Sequence, residues 1–300
     1  MVYTIGIDLG GTKIATAVVD ENGDVIAHLE VPTHAKEGPQ AVLDRMAETA
    51  KRVAQAVPSI QPMAVGVGAP GPLNPKRGIV FGPPNLPGWD HVNLVDELQQ
   101  RLGLHVVIDN DANAATLAEA TLGAGRGYHN LVYITFSTGI GGGVMLDGKV
   151  RQGEFGCAAE IGHHIVDING PLCHCGNRGC LETFASGTAI ERTALERMGE
   201  PLNASRVALL AREKNVIAQQ ILDDVYRYLG AGLVNVINLF DPAVIIIGGG
   251  VAQIGRPMFE ALQQVVNNNH FRSSVGENVQ VVPAQLGTKA GVIGAALLPR

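Results

Sequence analysis

The sequence has few cysteines, no excess of positive charge and no long hydrophobic run. Only four cysteines occur in 300 residues, and all of them fall between positions 157 and 180. A secreted fold held by disulfides spreads its cysteines over a small chain, so this clustering favours a metal site in a cytosolic protein. No segment approaches the ~20 apolar residues of a membrane span, and the N-terminus lacks the basic region and cleavage site of a signal peptide. We therefore expect a cytoplasmic protein with no membrane partner.

The charge balance excludes another class of protein. Lys and Arg total 22 against 28 for Asp and Glu, which gives a formal net charge of -6. Binding the phosphate backbone of a nucleic acid requires a basic field, so we expect no nucleic-acid partner. Hydrophobic residues make up 46% of the 300 residues. This is enough for a sizeable core, and chains near this length tend to divide into two domains.

Two segments of the chain follow the same plan, which indicates an internal duplication. Residues 3–31 alternate β-branched residues with small or polar ones and contain two turns with glycine. Residues 131–154 again show an apolar strand, a glycine-rich turn, a second strand and an Asp-Gly turn into a third strand. Each segment therefore predicts three antiparallel strands. Two such halves facing each other would set their glycine turns across a cleft, the usual place for a small-molecule site between domains.

The rest of the chain adds helices to these two halves. Helical patterns are predicted at about residues 40–57, 95–102, 217–240 and from residue 111 onward. Residues 243–252 are typical of a buried strand that enters a glycine turn, and residues 287–298 predict a last helix packed on the first domain. The predicted domains are residues 1–112 plus about 286–300, a smaller N-terminal α/β domain, and residues 113–285, a larger α/β domain with the cysteines.

The first glycine turn, from Asp8 to Lys13, is neither a P-loop nor a dinucleotide-binding fingerprint. The full GxxxxGK[ST] spacing is absent, and a strand follows where those motifs require a helix. A tight turn between antiparallel strands can still point successive N–H groups at a phosphate, because glycine allows a close backbone approach. One such turn alone is typical of an ordinary hairpin. The second turn, from Ser137 to Gly143, has more glycines than a hairpin requires, so two opposed turns would suit two ends of a triphosphate.

Two aspartates near strand ends are candidates for the chemistry. Asp8 stands at the mouth of the first turn, where it would hold Mg²⁺ through water or simply cap the turn. Asp111 follows Asp109 and Asn110, where an apolar strand gives way to a helix. Any one of these residues is an ordinary helix cap, but three in succession plus Asn113 exceed the need for one cap. A carboxylate at a helix N-terminus is stabilised in its charged form, so Asp111 would be available as the proton acceptor in phosphoryl transfer.

The strongest local motif combines residues 160–164, which read EIGHH, with three cysteines in a glycine-bearing knuckle. Three thiolates spaced CxC and CxxxxC, with one nearby histidine, form the ligand set of a closed structural zinc site. Four residues are candidates for the fourth ligand: His163, His164, His174 and Cys157. If residues 160–164 form a strand, His163 and His164 point to opposite faces, so only one of the two can bind the metal. The site would fix a loop that presents Glu160 and Glu182 to sugar hydroxyls. The three cysteines are Cys173, Cys175 and Cys180.

Two further features each have two interpretations. Trp89, the only tryptophan, lies in a loop rich in Pro and Gly, where it would anchor the loop or cover a sugar ring. Residues 248–250 are three glycines after an apolar run. They would approach an adenine or a ribose, or let a helix pack tightly on a strand.

Together these motifs resemble those of the ROK family of sugar kinases and repressors. DLGGTK, GVGAPGPL, DNDANAA, STGIGGG, EIGHH with CHCGNRGCLE, and IIIGGG occur in the family's order along the whole chain. The cysteine knuckle combined with EIGH is highly specific, whereas GGTK alone indicates only the wider actin-like and hexokinase-like superfamily. The resemblance implies two ribonuclease H-like α/β domains around an interdomain cleft, with sugar on one side and nucleotide on the other. It also implies a homodimer or a homotetramer.

The resemblance assigns roles to individual residues. Asp111 matches the general base, and the sugar contacts match Asn110, Asp111, Glu160, His163 and Glu182. The zinc ligands match His163, Cys173, Cys175 and Cys180, which leaves Cys157 and His174 outside the zinc site. The nucleotide-binding positions match Asp8, Gly10, Gly11, Thr12, Lys13, Ser137, Thr138, Gly139, Gly141 and Gly249.

The predicted function is ATP-dependent phosphorylation of a hexose, with ATP, Mg²⁺ and structural Zn²⁺ as cofactors. Asp111 would take the proton of the C6 hydroxyl as that oxygen attacks the γ-phosphorus of ATP. Glucose is the favoured acceptor through the resemblance alone. The alternatives are another hexose or N-acetylmannosamine as acceptor, polyphosphate as donor, or a non-catalytic sugar-sensing regulator.

Overall fold

The computed structural model describes residues 2–269, 271 and 278–300. The chain divides into two compact units. Unit 1 comprises Met1–Arg126, Val150–Ala158 and Thr288–Arg300, and unit 2 comprises Gly127–Lys149 and Ala159–Gly287.

Strands and helices alternate along the chain. The strands are β1 (Thr4–Leu9), β2 (Lys13–Val19), β3 (Val25–Pro32), β4 (Ala64–Ala69), β5 (Leu73–Asn74), β6 (Ile79–Val80), β7 (Val92–Asn93), β8 (His105–Asn110), β9 (Leu131–Phe136), β10 (Ile140–Leu146), β11 (Lys149–Val150), β12 (Val244–Gly248) and β13 (Gln280–Pro283). The α-helices are α1 (Pro39–Gln55), α2 (Leu94–Leu102), α3 (Asp111–Leu122), α4 (Leu181–Phe184), α5 (Gly187–Met198), α6 (Ala204–Arg212), α7 (Val216–Phe240), α8 (Arg256–Asn269) and α9 (Ala290–Leu297).

The main sheet of unit 1 has the strand order β3-β2-β1-β4-β8. β1 to β3 are antiparallel neighbours, as predicted, whereas β1, β4 and β8 run parallel. Parallel strands end at the same edge of a sheet, and ligands commonly bind there. In the register Asp8 pairs with Gly68 of β4, and Gly68 pairs with Asp109 of β8. Two aspartates therefore flank one glycine at this edge.

Helices cover this sheet because their apolar residues recur at helical spacing. α1 buries Val42, Leu43, Met46 and Val53 against the unit 1 core. α9 approaches much more closely, and a Cβ placed on its Gly294 would lie 1.8 Å from a carbonyl oxygen of α3. Only glycine permits this contact between α9 and α3.

The sheet of unit 2 repeats the plan, with the strand order β11-β10-β9-β12-β13. β9 is antiparallel to β10 and parallel to β12, and β12 is parallel to β13. The order of strands along the chain is the same in the two sheets, so the predicted duplication is confirmed. The long helix α7 buries Leu229, Leu233 and Val236 in the unit 2 core. No helix in the described residues is long and apolar enough to cross a membrane.

The compact units differ from the predicted boundary after residue 112 in two respects. Helix α3 belongs to unit 1, because it packs closely against α9. Residues 150–158 also belong to unit 1, where a Cβ on Gly156 would lie 2.4 Å from the Leu73 carbonyl oxygen of β5. Both contacts join residues that are distant in sequence.

Candidate active site

In the first glycine turn the carbonyl groups accept hydrogen bonds that stabilise the turn, whereas two N–H groups stay unpaired among the described residues. The Gly10 N–H donates to the Lys13 carbonyl at 2.9 Å. Thr33 donates its backbone N–H to the Thr12 carbonyl at 2.9 Å and its hydroxyl to the Gly10 carbonyl at 2.6 Å. The N–H groups of Gly11 and Thr12 have no acceptor among the described residues. Two adjacent unpaired N–H groups form the kind of concavity that binds an anion.

Asp8 lies at the end of β1, directly before this turn. Its carboxylate is partly buried, and burial raises its pKa to about 6 although the charge of Lys13 opposes this effect. A Cβ on Gly291, at the start of α9, would lie 2.4 Å from the Asp8 Oδ2 atom, so the glycine leaves room for the carboxylate. A partly buried carboxylate beside unpaired N–H groups suits Mg²⁺, which is commonly held by one or two carboxylates and by phosphate oxygens.

Two side chains beside the turn have contacts that the sequence did not predict. Lys13, a predicted phosphate ligand, donates from Nζ to Glu30 Oε2 at 2.8 Å. Asn85 lies over the turn, because a Cβ on Gly11 would be 2.7 Å from the Asn85 Cβ. No local motif marks Asn85, and sequence analysis missed it. Trp89, in the same loop, is 0% exposed, so it anchors the loop and does not cover a sugar ring.

The end of β8 carries the predicted general base. Asn110 is the N-cap of α3, and its Oδ1 atom accepts the Ala112 N–H at 2.9 Å. Asp111 is the first residue of the helix, and its Oδ1 atom accepts the same N–H at 2.8 Å. The capping interpretation therefore holds for Asn110. The helix N-terminus also favours the negative charge of Asp111.

Asp109, one residue before the cap, is 3% exposed and accepts hydrogen bonds at both carboxylate oxygens. Its Oδ1 atom accepts from the Asn110 N–H at 2.7 Å and from Asn113 Nδ2 at 2.9 Å. Its Oδ2 atom accepts from Gln152 Nε2 at 2.7 Å. Burial raises the pKa of Asp109, and the hydrogen bonds from Gln152 and Asn113 oppose this rise. Sequence analysis missed Gln152, because nothing local relates it to β8.

The cysteine knuckle of unit 2 brings together the four predicted zinc ligands. One ligand atom each of His163, Cys173, Cys175 and Cys180 lie within 4.8 Å of one another. The sulfurs of Cys175 and Cys180 are 3.6 Å apart, and Cys173 Sγ is 3.6 Å from His163 Nδ1. A tetrahedral zinc ion with Zn–S bonds of ~2.3 Å places its ligand atoms about 3.8 Å apart. The donor set therefore fits zinc in both chemistry and spacing.

The structure separates the residues that competed as fourth ligand. Residues Ile161–His163 form a 3₁₀ turn and not a strand, and His163 faces the cysteines. The neighbouring His164 points toward Gly232 of α7, where its Nε2 atom is buried with no hydrogen-bond partner among the described residues. Cys157 is exposed on the segment 150–158 and belongs to neither ligand cluster found in the described part of the chain.

Glu182 connects the knuckle with the second glycine turn. Its Oε2 atom accepts the Ile140 N–H at 2.7 Å, and a Cβ on Gly139 would lie 2.2 Å from the same oxygen. Only glycine at this position leaves room for the carboxylate. The other oxygen, Oε1, lies 3.3 Å from Nδ1 of His174. His174 thus stays outside the set of three cysteines and one histidine, but it forms a second cluster with His163 and Glu182 that sequence analysis missed.

Glu160 lies within electrostatic reach of the same cluster. Desolvation raises its pKa, His163 lowers it, and the negative charge of Glu182 raises it further. Unit 2 therefore brings together three of the predicted sugar contacts, Glu160, His163 and Glu182. Carboxylates and an imidazole are suitable partners for sugar hydroxyls, because each accepts or donates a hydrogen bond at a fixed place.

The second glycine turn borders a cavity of about 310 Å³ within unit 2. The start of α5 holds the turn, because the Gly187 N–H donates to the Ser137 carbonyl at 2.8 Å and the Thr188 N–H donates to the Thr138 carbonyl at 3.1 Å. The cavity is lined by Ser137, Thr138, Gly187, Thr188, Glu191, Asn203, Ala204, Ser205, Gly250 and Val251.

Gly249 has a packing reason to be glycine. Its φ is 92°, and a Cβ at this position would lie 2.4 Å from the Phe136 carbonyl oxygen. The next residue, Gly250, lines the cavity instead. Of the two interpretations of the three glycines, close packing therefore explains Gly249, and its contact with a nucleotide stays a prediction.

Comparison with known proteins assigns the chain to a family of sugar kinases and repressors. The chain belongs to the ROK family, whose model matches residues 4–300. A glucokinase of Streptomyces coelicolor is 38% identical over 323 residues, which cover 100% of this chain and 98% of the relative. The crystal structure of a ROK hexokinase from Thermus thermophilus is similar with a TM-score of 0.87 and 38% identity, over 98% of this chain and 97% of that chain.

A second solved structure is a ROK family glucokinase from Streptomyces griseus in complex with glucose and AMPPNP. It is similar with a TM-score of 0.84 and 37% identity, over 98% of each chain. The family and the fold class predicted from the sequence, an α/β fold of two ribonuclease H-like domains, are confirmed.

Proposed function

We propose that this protein is a hexokinase-type sugar kinase that transfers the terminal phosphate of ATP to glucose. The observation that carries the proposal is the start of α3, where Asp111 lies at a helix N-terminus at the end of a parallel strand. The relatives support the substrates, because they include a glucokinase and a glucokinase bound to glucose and AMPPNP.

Asp111 acts as the general base. It accepts the proton of the C6 hydroxyl while that oxygen bonds to the γ-phosphorus and the bond from this phosphorus to the β–γ bridging oxygen breaks. ADP leaves, and the proton passes from Asp111 to solvent. Phosphoryl transfer of this kind requires mainly positioning and charge stabilisation, so one well-placed carboxylate is sufficient as the acceptor.

The hexose is bound by the remaining predicted contacts, Asn110, Glu160, His163 and Glu182. The two carboxylates of unit 2 accept hydrogen bonds from sugar hydroxyls. Polar groups that a bound sugar would cover reject a sugar that lacks the matching hydroxyl, because they would then be left unpaired. The set therefore provides selectivity as well as affinity.

The nucleotide is bound by the two glycine turns and the cavity beside the second turn. The N–H groups of Gly11 and Thr12 bind phosphate oxygens, and Asp8 would hold Mg²⁺, which supplies neutralisation of phosphate charge when it is bound. The cavity accepts the nucleoside, which favours ATP over polyphosphate as the donor. The proposed positions are Asp8, Gly10, Gly11, Thr12, Lys13, Ser137, Thr138, Gly139, Gly141 and Gly249.

The test is a comparison of Asp111→Asn with Asp96→Asn. Asp96 is an exposed carboxylate in the first turn of α2, so it is a matched control within unit 1. We expect Asp111→Asn to lower kcat by roughly 10²–10⁴ and to leave the glucose Kd nearly unchanged, whereas Asp96→Asn keeps wild-type activity. Substantial activity of a folded Asp111→Asn variant would remove Asp111 from its role.

We also propose that the knuckle holds a structural zinc ion through His163 and the three cysteines. Because His163 is also a sugar contact, loss of the metal should weaken glucose binding and lower the Tm together. Metal content measured for Cys175→Ser and for the control Cys157→Ser tests this. We expect about one zinc per chain in the control and none in Cys175→Ser. Full zinc in Cys175→Ser would contradict the assignment.

We further propose a cytoplasmic homodimer or homotetramer, which the family resemblance supports. Sedimentation equilibrium of the full chain tests the assembly. A single species at the monomer mass at micromolar concentration would contradict it.

A further inference from the structure

We propose that Gln152 is a positioning residue that sets the orientation of the Asn110-Asp111 pair through the buried carboxylate of Asp109. The inference rests on the proposed roles of Asn110 and Asp111 in sugar binding and proton transfer. It concerns a hydrogen bond between two parts of unit 1 that are distant in sequence.

The hydrogen bonds of Asp109 divide into local and distant ones. Oδ1 accepts from the Asn110 N–H at 2.7 Å and from Asn113 Nδ2 at 2.9 Å, and both donors lie on the junction of β8 and α3. Oδ2 accepts from Gln152 Nε2 at 2.7 Å, across 43 residues of sequence. Gln152 therefore fixes the Oδ2 atom of Asp109, while the Oδ1 atom of the same carboxylate fixes the junction of β8 and α3.

Rotation of the Asp109 carboxylate would disturb the junction directly. The Asn110 N–H that it accepts belongs to the N-cap residue of α3, and Asp111 is the next residue. A displacement of about 1 Å in a group that must meet the reacting oxygen can cost ~100-fold in rate. The hydrogen bond from Gln152 opposes this rotation, because breaking it would leave a carboxylate oxygen unpaired in a site that is 3% exposed.

The backbone around Gln152 is itself fixed. The Ala158 N–H donates to the Gln152 carbonyl at 3.1 Å, which closes the segment into a loop. Gly156 packs against β5, where a Cβ would lie 2.4 Å from the Leu73 carbonyl oxygen. Two residues after Ala158 the chain reaches Glu160, a proposed sugar contact. A loop held in this way can hold a neighbouring carboxylate in place.

Two substitutions can exchange the donor and the acceptor of the hydrogen bond between positions 152 and 109. Gln152→Glu alone places two carboxylates about a hydrogen-bond length apart, where like charges repel. Asp109→Asn alone is mild, because the Gln152 amide can turn over and accept from the new amide. The double variant restores the bond, with the new amide at position 109 as donor and the new carboxylate at position 152 as acceptor.

We expect Gln152→Glu to lower kcat/KM for glucose by roughly 100-fold with the KM for ATP nearly unchanged. Asp109→Asn should stay within about 5-fold of wild type, and the double variant should recover at least about 10-fold over Gln152→Glu. Glu154→Gln is the control, because this exposed residue lies in the same segment and pairs only loosely with Lys76 at 3.8 Å. It should behave as wild type.

A second variant keeps the test decisive if Gln152→Glu does not fold. Folded Gln152→Ala should lose about 10-fold in kcat and raise the KM for glucose more than the KM for ATP. Wild-type kinetics of Gln152→Ala, or a double variant no better than Gln152→Glu, would overturn the inference. An inactive Asp111→Asn beside a fully active Gln152→Ala would leave the proposed function standing, whereas an active Asp111→Asn would remove both.

Discussion

The two glycine turns occupy equivalent places in the two sheets, but they are held by different partners. Thr33 of unit 1 holds the carbonyls of Gly10 and Thr12, and the nearby N–H groups stay available. In unit 2 the start of α5 holds the carbonyls of the turn, and Glu182 accepts the Ile140 N–H. The duplication thus conserved a backbone shape and varied its surroundings. The first turn adjoins Asp8, whereas Glu182 ties the second turn to the cluster that it forms with His163 and His174.

Asp8→Asn should have the largest effect of the variants that compare the two turns. The residue of unit 2 at the position equivalent to Asp8 is Thr135, so only the first turn has an acidic residue there. We expect kcat to fall by at least about 100-fold, because the proposed Mg²⁺ ligand is lost. We also expect the free protein to become more stable at pH 8, by on the order of 1–3 kcal/mol. Activity assays and denaturant unfolding in magnesium-free buffer measure the two effects.

The sign of the stability change follows from the direction of the pKa shift. Burial raises the pKa of Asp8 in the folded protein to about 6, above the ordinary aspartate value of 3.8. The folded state therefore binds more protons between these values, and Asp8 costs stability as the pH rises through this range. The gain of Asp8→Asn should disappear near pH 4. Asp24→Asn, an exposed control in the turn after β2, should change neither quantity, and a loss of stability in Asp8→Asn at pH 8 would contradict the account.

Gly139→Ala and Gly11→Ala compare the two turns directly. A Cβ at position 139 meets the fixed Glu182 carboxylate at 2.2 Å, whereas a Cβ at position 11 meets the exposed side chain of Asn85 at 2.7 Å. Overpacking typically costs about 1–3 kcal/mol, so we expect Gly139→Ala to raise the KM for glucose by roughly 10–100-fold. Gly11→Ala should change it much less, because Asn85 can move. Equal effects of the two variants on the KM for glucose would show that Glu182 does not connect the second turn to the sugar.

Thr33→Val and Thr188→Val test the supports of the two turns. Thr33 is 0% exposed and donates its hydroxyl to the Gly10 carbonyl, whereas Thr188 donates to the Thr138 carbonyl at an exposed position. Loss of the buried bond should lower the free energy of unfolding by about 1–3 kcal/mol. Loss of the exposed bond should have a smaller effect, because water replaces the donor. Thermal unfolding of both variants measures these losses of stability. A larger loss of stability in Thr188→Val than in Thr33→Val would contradict the expectation.

Lys13→Ala should have the smallest effect. The Lys13 ammonium is half exposed and bonded to Glu30 at 2.8 Å. Exposed ion pairs contribute about 0–1 kcal/mol, so stability should barely change and the KM for ATP should rise no more than a few-fold. Glu30→Gln serves as the control. If Lys13→Ala raised the KM for ATP by much more while Glu30→Gln did not, Lys13 would contribute more to phosphate binding than its ion pair with Glu30 allows in this account.

The features that the sequence predicts well are those whose parts lie close together in the chain. The antiparallel strands flanking each glycine turn depend on local alternation and turn residues. The knuckle is equally local, because Cys173, Cys175 and Cys180 fall within eight residues. The residues alone left the choice among the histidines open, and the family resemblance gave His163. In the structure a 3₁₀ turn separates the directions of His163 and His164.

The features that sequence analysis missed depend on distant contacts. Gln152 meets Asp109, and Asn85 lies over Gly11, through the packing of loops that no periodic pattern describes. Helix α3 joins unit 1 because of a glycine in the last helix, more than 170 residues later in the chain. The ion pair of Lys13 with Glu30 does not depend on such distant packing. The register of β2 with β3 pairs Ala15 with Glu30, and this brings Lys13 close to Glu30. A predicted hairpin register would have indicated that pair.

The most direct test of the account is ³¹P NMR of the purified protein with Mg-ATP and glucose. The account predicts that the γ-phosphate signal of ATP is replaced by a hexose 6-phosphate signal, with ADP formed in equal amount and no inorganic phosphate. Unchanged ATP in the presence of bound glucose, or release of inorganic phosphate alone, would contradict the transfer of phosphate to the sugar.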